Sequence, residues 1–339
     1  MAWFARAAVV AVAAPAVLLS VVYKTGVVST WWLELAQYVP YPAFLLPALV
    51  ALGLSFLLGW AWRCAAAVSL GLVVTVLMGL VIGHADSGTG RVRLMTYNIK
   101  AYLVEREAGS YAPLAWEVAL HDPDILVMQD AERLSERRRE VPDTASTIFK
   151  GRQVYETGQY IVVSRFPLRE CRVEQIPYRG ESHTYVRCVV SVNGVDVDLV
   201  NVHLKSPREG LNAARHEQAD GIDEWQQNFA DRLGQAVQLG ADIAGRQRPL
   251  ILAGDLNAPE SSPVLRQLLG RGLRDAFSSA GRGYGYTHGH SLKPRISFLR
   301  IDHILVSHEI GVTDSFAGGK DASDHRPVIA DLLMLRDPG

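Results

Sequence analysis

The chain has 339 residues, of which 49% are apolar, and this is enough for one large or two medium domains with a substantial core. Its formal net charge of −1 shows no basic excess that would indicate a nucleic-acid-binding protein. The charge is unevenly distributed, because residues 1–90 contain only five charged side chains, namely Arg6, Lys24, Glu34, Arg63 and Asp86. The N-terminal 90 residues and the rest of the chain therefore belong in different surroundings.

The N-terminal region predicts a membrane anchor of three helices within residues 1–83. Residues 7–23, 43–60 and 64–82 carry no charged side chain, and a membrane span needs about 20 apolar residues. Tyrosines and tryptophans flank the second segment, as is typical of the aromatic belts at the two faces of a bilayer. Buried helices of a soluble protein are the disfavoured alternative, because three uncharged segments follow one another.

The first segment could also be a signal peptide, with Arg6 as its positively charged start. The alanine-rich residues 11–16 lie too early in the apolar segment for a cleavage site, which favours an uncleaved helix. With the amino terminus inside the cell, three spans place the larger domain outside, and two spans after cleavage would do the same. We therefore expect a multi-pass protein of the cell membrane with an extracytoplasmic domain.

A polar linker, HADSGTG at residues 84–90, precedes that domain at residues 91–339. The linker is flexible by composition and short enough to keep the domain close to the bilayer. Asn193-Gly194 is typical of a hairpin turn. Strands are predicted at residues 91–99, 124–130, 160–168, 185–192, 195–204, 249–257, 300–307 and 326–335, and helices at residues 112–122 and 222–244. Many antiparallel strands with helices outside them predict an α+β sandwich of two sheets.

Polar side chains stand at six strand edges of this predicted domain. Any one of them is typical of a turn or of a solvated strand end. Together they offer oxygen and nitrogen ligands without cysteine, and a rigid sheet can direct them at one point. The candidates are Asn98, Asp130, His203, Asp255 with Asn257, Asp302 with His303, and Asp324 with His325.

This set of side chains indicates hydrolysis of a phosphate ester. Carboxylate and carboxamide oxygens suit hard cations such as Mg²⁺ or Mn²⁺. A bound metal neutralises phosphate oxygens and lowers the pKa of bound water. Histidines held by carboxylates can move a proton or stabilise the charge of the transition state.

Two further segments of the domain have no strand pattern. Residues 205–221 could bind substrate phosphate through Lys205, Arg208 and Arg215, or form an ordinary solvated loop. The glycine-rich residues 281–290 are not followed by a helix pattern. We interpret them as a mobile loop beside the site, whose two histidines are loop residues rather than ligands.

The motifs MTYNIK, LVMQD, NVHLKS, AGDLNAP, RIDHILVS and SDHRPV resemble, in this order, those of the endonuclease/exonuclease/phosphatase superfamily. The resemblance covers about residues 91–335 and implies the DNase I-like fold, a two-sheet sandwich in four layers, α/β/β/α. The three-helix anchor further resembles a membrane-bound bacterial subfamily, the VanJ-like proteins, one of which confers teicoplanin resistance.

The resemblance implies that Asn98 supports the metal and the attacked phosphate, and that Asp130 and Asp324 are acids of the metal site. Asp130 departs from the family's pattern, which has a glutamate after the same glutamine. Aspartate is one methylene shorter, and Mg²⁺ requires ligands at about 2.0–2.1 Å in near-octahedral geometry. A backbone shift, a bridging water or help from Glu132 would have to compensate.

The catalytic roles also follow from the resemblance. His203 would contact the phosphate or the leaving group, Asp255 would orient or deprotonate the attacking water, and Asn257 would bind phosphate beside it. Asp302 would hold His325, the second catalytic histidine.

Fold does not determine substrate. The tether to the bilayer favours a phosphorylated lipid, and the resemblance to the VanJ-like proteins implies undecaprenyl pyrophosphate. The alternative is a membrane-anchored nuclease acting on DNA or a sphingomyelinase-like phosphodiesterase, with nucleic acid disfavoured. A non-enzymatic membrane protein is a third and less favoured class, because one motif position alone departs from the pattern.

Cys171 and Cys188 lie on two strand-like segments joined by a loop near residues 177–182. They could face each other and form a disulfide on an oxidising side of the membrane. Two buried, unpaired thiols are the favoured alternative, because strand register cannot be read from the sequence.

Overall fold

The computed structural model describes residues 1–334, with the exception of 27–29, 109, 139, 179–180 and 293–294. The N-terminal region is helical. Its elements are α1 (Ala2–Thr25), α2 (Trp31–Ala36), α3 (Pro42–Ser55) and α4 (Trp60–Leu72), and a π-helical turn over Val73–Leu77 extends α4.

Two helices of this region, α1 and the extended α4, are long and apolar enough to cross a membrane. A core helix of a soluble protein would pass the same test, but only 28% and 17% of the two apolar windows are buried inside the protein. The third predicted span is not confirmed, because α3 has 14 residues and ends at Ser55. A three-helix transmembrane region therefore stays a prediction, and two candidate spans support it.

The three longer helices of this region pack through small side chains. Val9, Ala51 and Ala66 form one buried cluster, and Ala16 and Ala48 belong to a second. Small residues let helix backbones approach closely, which is typical of helix contacts in membranes.

Beyond the helical region the chain alternates strands and helices. The strands are β1 (Val81–Ile82), β2 (Arg91–Asn98), β3 (Ile125–Gln129), β4 (Gln153–Thr157), β5 (Tyr160–Ser164), β6 (Leu168–Tyr178), β7 (Glu181–Val192), β8 (Val195–His203), β9 (Leu250–Asp255), β10 (Leu273–Asp275), β11 (Arg282–Gly283), β12 (Asp302–Ser307), β13 (Ile310–Ala317) and β14 (Val328–Met334). The helices are α5 (Ala101–Ala108), α6 (Ala112–His121), α7 (Glu132–Glu136), α8 (Pro142–Phe149), α9 (Arg208–His216), α10 (Gln218–Ala244), α11 (Pro263–Leu269) and α12 (Ala276–Ala280).

Two six-stranded sheets, ordered β10-β12-β9-β8-β7-β6 and β13-β14-β2-β3-β5-β4, pack face to face. Leu199 and Ile251 of the first sheet and Leu94 and Val127 of the second are buried between them. The outer face of the first sheet packs against α10 and α11, and that of the second against α5, α6 and α8. Successive strand residues point to opposite faces, so each sheet is covered on both sides. The predicted two-sheet α/β/β/α sandwich is confirmed.

The segment predicted as a flexible linker, residues 84–90, is bound to the sandwich. The carboxylate of Asp86 accepts hydrogen bonds from the backbone N–H of Val312 (2.8 Å) and from Arg274 Nη2 (2.5 Å). Backbone N–H groups of His84 and Asp86 also donate to the backbone oxygens of Ser279 (2.7 Å) and Val312 (2.8 Å), so the segment is bound although its composition indicated flexibility. The domain is thus held against the helical region rather than suspended from it.

The hairpin predicted at Asn193-Gly194 is confirmed, since the turn joins β7 to β8 and both residues have positive φ, 51° and 85°. Cys171 and Cys188 form a disulfide, and the alternative of two unpaired thiols is wrong. A bulge in β6 brings the two cysteines together, because two residues of β6 lie opposite a single residue of β7 at this point. This register could not be read from the sequence.

Candidate active site

Strand ends from both sheets meet at one edge of the sandwich. β2 and β3 are parallel neighbours, with Asn98 beside Gln129, and β8 and β9 are parallel neighbours, with His203 beside Asp255. β12 runs antiparallel to β9 and starts at the same edge, so Asp302 lies beside Asp255. Because parallel strands end at the same edge, side chains that are far apart in the sequence converge there.

Asp255 is buried at the centre of the cluster. Its Oδ2 accepts a hydrogen bond from Asn98 Nδ2 (2.9 Å) and lies 3.5 Å from His203 Nε2 and 3.7 Å from His325 Nε2. Its Oδ1 accepts a hydrogen bond from the backbone N–H of Asn257 (2.9 Å). A carboxylate oriented in this way can accept a proton from a water molecule that attacks phosphorus.

The backbone around Asp255 explains why glycine and asparagine flank it. A Cβ atom on Gly254 would lie 1.8 Å from the backbone oxygen of Val202, so a side chain there would force β8 and β9 apart. Asn257 has a φ of 50°, a conformation that asparagine tolerates better than most residues, and its Nδ2 donates to the backbone oxygen of Leu204 (2.9 Å). The bend after β9 thereby keeps Asp255 and Asn257 at the same edge.

His325 and Asp302 form a buried pair. His325 Nδ1 donates to Asp302 Oδ2 (3.0 Å), which leaves Nε2 facing Asp255. Burial by itself lowers the pKa of His325, but the charges of Asp302 and Asp255 outweigh it and raise this pKa to about 9. The imidazole is therefore protonated at neutral pH and can stabilise negative charge on a phosphate.

His203 and Asp130 lie on the other side of Asp255. His203 Nδ1 donates to Gln159 Oε1 (2.7 Å) and lies 3.5 Å from Asp130 Oδ1, and the other oxygen of Asp130 pairs with Lys100 Nζ. Burial opposes ionisation of Asp130, yet His203 and Lys100 hold its pKa well below the usual range. Glu132 is exposed on α7, and Lys100 is the side chain that pairs with Asp130.

The donor set of the site fits a hard divalent cation. Asp324 Oδ1 is buried without a hydrogen-bond partner and lies 4.0 Å from His325 Nε2. A buried carboxylate oxygen needs a partner, and a cation supplies one. Among the described residues, two groups of side chains have candidate ligand atoms within 4.8 Å of one another, and they are His288 with Asp324 and His325, and Asp255 with Asp302 and His325. Protonated His325 has no lone pair to offer a metal, so the carboxylates and His288 are the ligands that these groups supply. Of the predicted metal residues, Asp324 belongs to such a group. Asn98 contacts the cluster through its hydrogen bond to Asp255, and Asp130 contacts it through His203.

His288 was missed by the sequence interpretation. Its ring centroid lies 4.6 Å from that of His325, and its Nδ1 bonds the backbone oxygen of Asp324 (3.0 Å). Burial and the charge of His325 lower the pKa of His288 to about 4, so it is neutral at neutral pH and can act as a ligand. The glycine-rich loop lies beside the site as expected, and His288 belongs to a group of side chains that could hold a metal ion, so whether this histidine is a ligand stays a prediction. The sequence indicated that the loop lies beside the site, but no strand pattern surrounds His288, so its contact with His325 could not be predicted.

Other singled-out residues point away from the cluster. His303 follows Asp302 on β12 and faces the opposite side, where its Nδ1 bonds Asp275 (2.7 Å). Residues 205–221 are largely helical rather than a loop, and Lys205 pairs there with Asp231 (2.8 Å).

The two arginines of the same segment differ in position. Arg215 is exposed on α9. Arg208 Nη2 lies 3.9 Å from Asp324 Oδ2, so Arg208 is the one basic residue of the three proposed there that faces the site.

This sandwich, with acids, an asparagine and histidines at one edge, is the arrangement expected of a hydrolase of phosphate esters. Residues 95–325 match the model of the Endonuclease/Exonuclease/phosphatase family, and the chain belongs to that family. The description of this family names nucleases and phosphatases, which supports an enzymatic function.

Solved structures share the fold at low sequence identity. An endonuclease/exonuclease/phosphatase from Bacteroides vulgatus has a TM-score of 0.54 and 15% identity, over 73% of this chain and 100% of that one. Humanized TDP2 from D. rerio has a TM-score of 0.53 and 15% identity, over 72% and 100%. The mannosyl-6-phosphatase Bt3783 from Bacteroides thetaiotaomicron has a TM-score of 0.51 and 18% identity, over 71% and 99%. No protein of curated function matches the sequence.

Proposed function

We propose that this protein is a membrane-anchored hydrolase that uses Mg²⁺ or Mn²⁺ to cleave lipid-linked phosphate, such as undecaprenyl pyrophosphate, on the outer side of the cell membrane. The position of the site beside the apolar helices carries the proposal. The hydroxyl of Tyr38, which lies between α2 and α3, donates to the backbone oxygen of Asn257 (3.0 Å). The hydroxyl of Tyr286 donates to the backbone oxygen of Met78, at the end of the helical region (2.7 Å). A phosphorylated headgroup at the membrane surface would therefore be within reach of the catalytic edge.

A groove beside the site suits such a substrate. It has a volume of about 700 Å³ and runs along Asp324. Arg208, Arg295 and Lys320 line it together with the apolar side chain of Leu292. Cationic side chains bind phosphate oxygens, and an apolar wall suits the first part of a lipid tail.

In the proposed reaction a water molecule attacks phosphorus, and Asp255 accepts its proton as the new P–O bond forms and the bond to the leaving group breaks. Asn257 and His203 bind the phosphate oxygens. Protonated His325, held by Asp302, stabilises the negative charge that develops in the transition state.

Asp324 would hold the metal, with Asn98 and Asp130 as the other oxygen donors of the site. When bound, the metal neutralises phosphate oxygens and lowers the pKa of bound water. Lys100 adds a second positive charge next to Asp130, and this charge keeps the carboxylate ionised.

The contacts of the helical region fit three spans with the catalytic domain on the face opposite the amino terminus. Contact between Tyr38 and the catalytic domain requires both to lie on the same side of the membrane, so α3 and α4 would enter and return as a hairpin. The guanidinium of Arg6 lies 6.0 Å from the ring of Trp62, which brings the start of α1 next to the start of α4 at the opposite face. The disulfide between Cys171 and Cys188 is of the kind that persists in oxidising surroundings.

Orientation can be tested with a membrane-impermeant protease added to intact spheroplasts. We expect cleavage within residues 91–339 while cytoplasmic marker proteins are spared. Protection of this domain until the membrane is permeabilised would place the site inside the cell and leave the proposed outer lipid substrate out of reach.

Substrate and metal can be tested together on purified full-length protein, offered lipid pyrophosphate, sphingomyelin and DNA side by side. We expect release of inorganic phosphate from the lipid pyrophosphate with Mg²⁺ or Mn²⁺, loss of release in EDTA, and recovery when metal is added back. Preferred cleavage of DNA or sphingomyelin would establish the alternative nuclease or phosphodiesterase. Full activity in EDTA, once tightly held metal has been assayed and found absent, would refute the metal requirement.

A further inference from the structure

A buried ion pair joins the segment between α1 and α3 to the catalytic domain. Glu34 on α2 and Arg232 on α10 are both fully buried, and Arg232 Nη1 lies 3.4 Å from Glu34 Oε1. Ser262 Oγ donates to the same carboxylate oxygen (3.1 Å). Two buried charges are costly unless they are paired and hydrogen-bonded, so this pair requires α2 to be docked in its place.

Tyr38 extends this ion pair to the active site. Its hydroxyl accepts a hydrogen bond from Arg232 Nη1 (2.6 Å) and donates one to the backbone oxygen of Asn257 (3.0 Å). The Tyr38 ring packs edge-on against Trp225, whose indole N–H donates to the backbone oxygen of Trp31 (3.0 Å). The hydroxyl is thus held from one side by Arg232 and faces the active-site backbone on the other.

Asn257 is a residue whose backbone needs such support. Its positive φ of 50° is a sparsely populated conformation for a residue with a side chain, and it persists only where the surroundings hold it. Fixing its carbonyl oxygen fixes the plane of the following peptide and the direction of the bend after β9. That bend sets the positions of the Asn257 side chain and of its N–H bond to Asp255.

We propose that Tyr38, held by Arg232 and Glu34, is a positioning residue of the active site, so that full turnover requires the docked segment around α2. Glu34 and Tyr38 precede residues 95–325, the part that matches the family model. The N-terminal region would therefore complete the catalytic site as well as anchor it. This inference rests on the proposed phosphohydrolase activity for its kinetic test.

The test compares two matched substitutions in the full-length protein in detergent. Tyr38→Phe and Tyr286→Phe each remove one hydroxyl whose hydrogen bond to a backbone oxygen joins the helical region to the catalytic domain. With bis(4-nitrophenyl) phosphate and Mg²⁺ or Mn²⁺, we expect Tyr38→Phe to lower kcat about tenfold with little change in KM, because a small misplacement of a catalytic group costs turnover. Tyr286→Phe should stay near the wild-type kcat. Equal kcat values for wild type and Tyr38→Phe, or equal losses in both variants, would overturn the proposal.

Hydrogen exchange tests the same contact without turnover. Backbone N–H groups of Leu256 and Asn257 are bonded to Ile301 and Asp255, so a peptide spanning residues 252–262, which retains both of these amides, should exchange slowly in wild type. We expect faster exchange of this peptide in Tyr38→Phe but not in Tyr286→Phe, and unchanged exchange in Tyr38→Phe would refute the positioning role. If wild type hydrolysed no phosphate ester, the proposed function would fall, and the exchange result would still decide this inference.

Discussion

Asp255→Asn is expected to fold normally and to lose most turnover, by about 10²–10⁴-fold, the range typical of a removed general base. The substitution keeps the shape of the side chain, and one oxygen can still accept the hydrogen bond from the N–H of Asn257. A carboxamide cannot take the proton of the attacking water. It also removes the charge that His203 and His325 face at 3.5 and 3.7 Å.

The measurement is kcat with a soluble phosphate ester, alongside circular dichroism and the melting temperature. Asp314→Asn is the matched control, because Asp314 is exposed on β13 and lies outside the site. Near wild-type turnover by a well-folded Asp255→Asn would refute the assignment of the site. A collapse of the melting temperature would instead show that Asp255 is needed for folding, and the rate would then carry no information about catalysis.

Asp302→Asn and His325→Gln are expected to cost similar factors, each about 10²–10³-fold, and the double variant little more than either single one. The reason is the bond between His325 Nδ1 and Asp302 (3.0 Å), which makes the two side chains one unit. Residues that act as a unit are strongly non-additive. A complete double-mutant cycle measures this, and losses that multiply would show that the two residues act independently.

The pH profile gives a second measure of the same pair. His325 has its pKa raised to about 9, and after the opposing effect of burial the largest contribution is the charge of Asp302. If the protonated imidazole is the active form, wild-type kcat should fall as the pH rises through about 9, and Asp302→Asn should move this fall to lower pH. His308→Gln, on an exposed histidine, is the control that should leave the profile unchanged. A fall at the same pH in wild type and Asp302→Asn would mean that another group titrates.

The sequence by itself determined the fold class and most of the strand-end residues. Alternating apolar and polar residues predict a strand because successive side chains point to opposite faces of a sheet, and short continuous apolar segments predict a strand buried on both faces. Both patterns are local. Polar residues directly after such strands must lie at the sheet edge, so Asn98, Asp130, His203 and Asp255 could be named before any contact was known. Uncharged segments in the first 90 residues likewise indicated an anchor, because length and apolarity are local properties.

Only the tertiary structure decided the features that depend on contacts between distant segments. His288 reaches the site because its loop lies against His325, and Lys100 meets Asp130 across two neighbouring strands. The pairing of the two cysteines depends on a one-residue bulge in strand register. Tyr38 touches Asn257, 219 positions further along the chain, because a buried ion pair docks α2 on α10. Local sequence patterns indicate which segments form helices and strands. Strand register and the docking of helices depend on how these elements pack together, and a local pattern does not determine this packing.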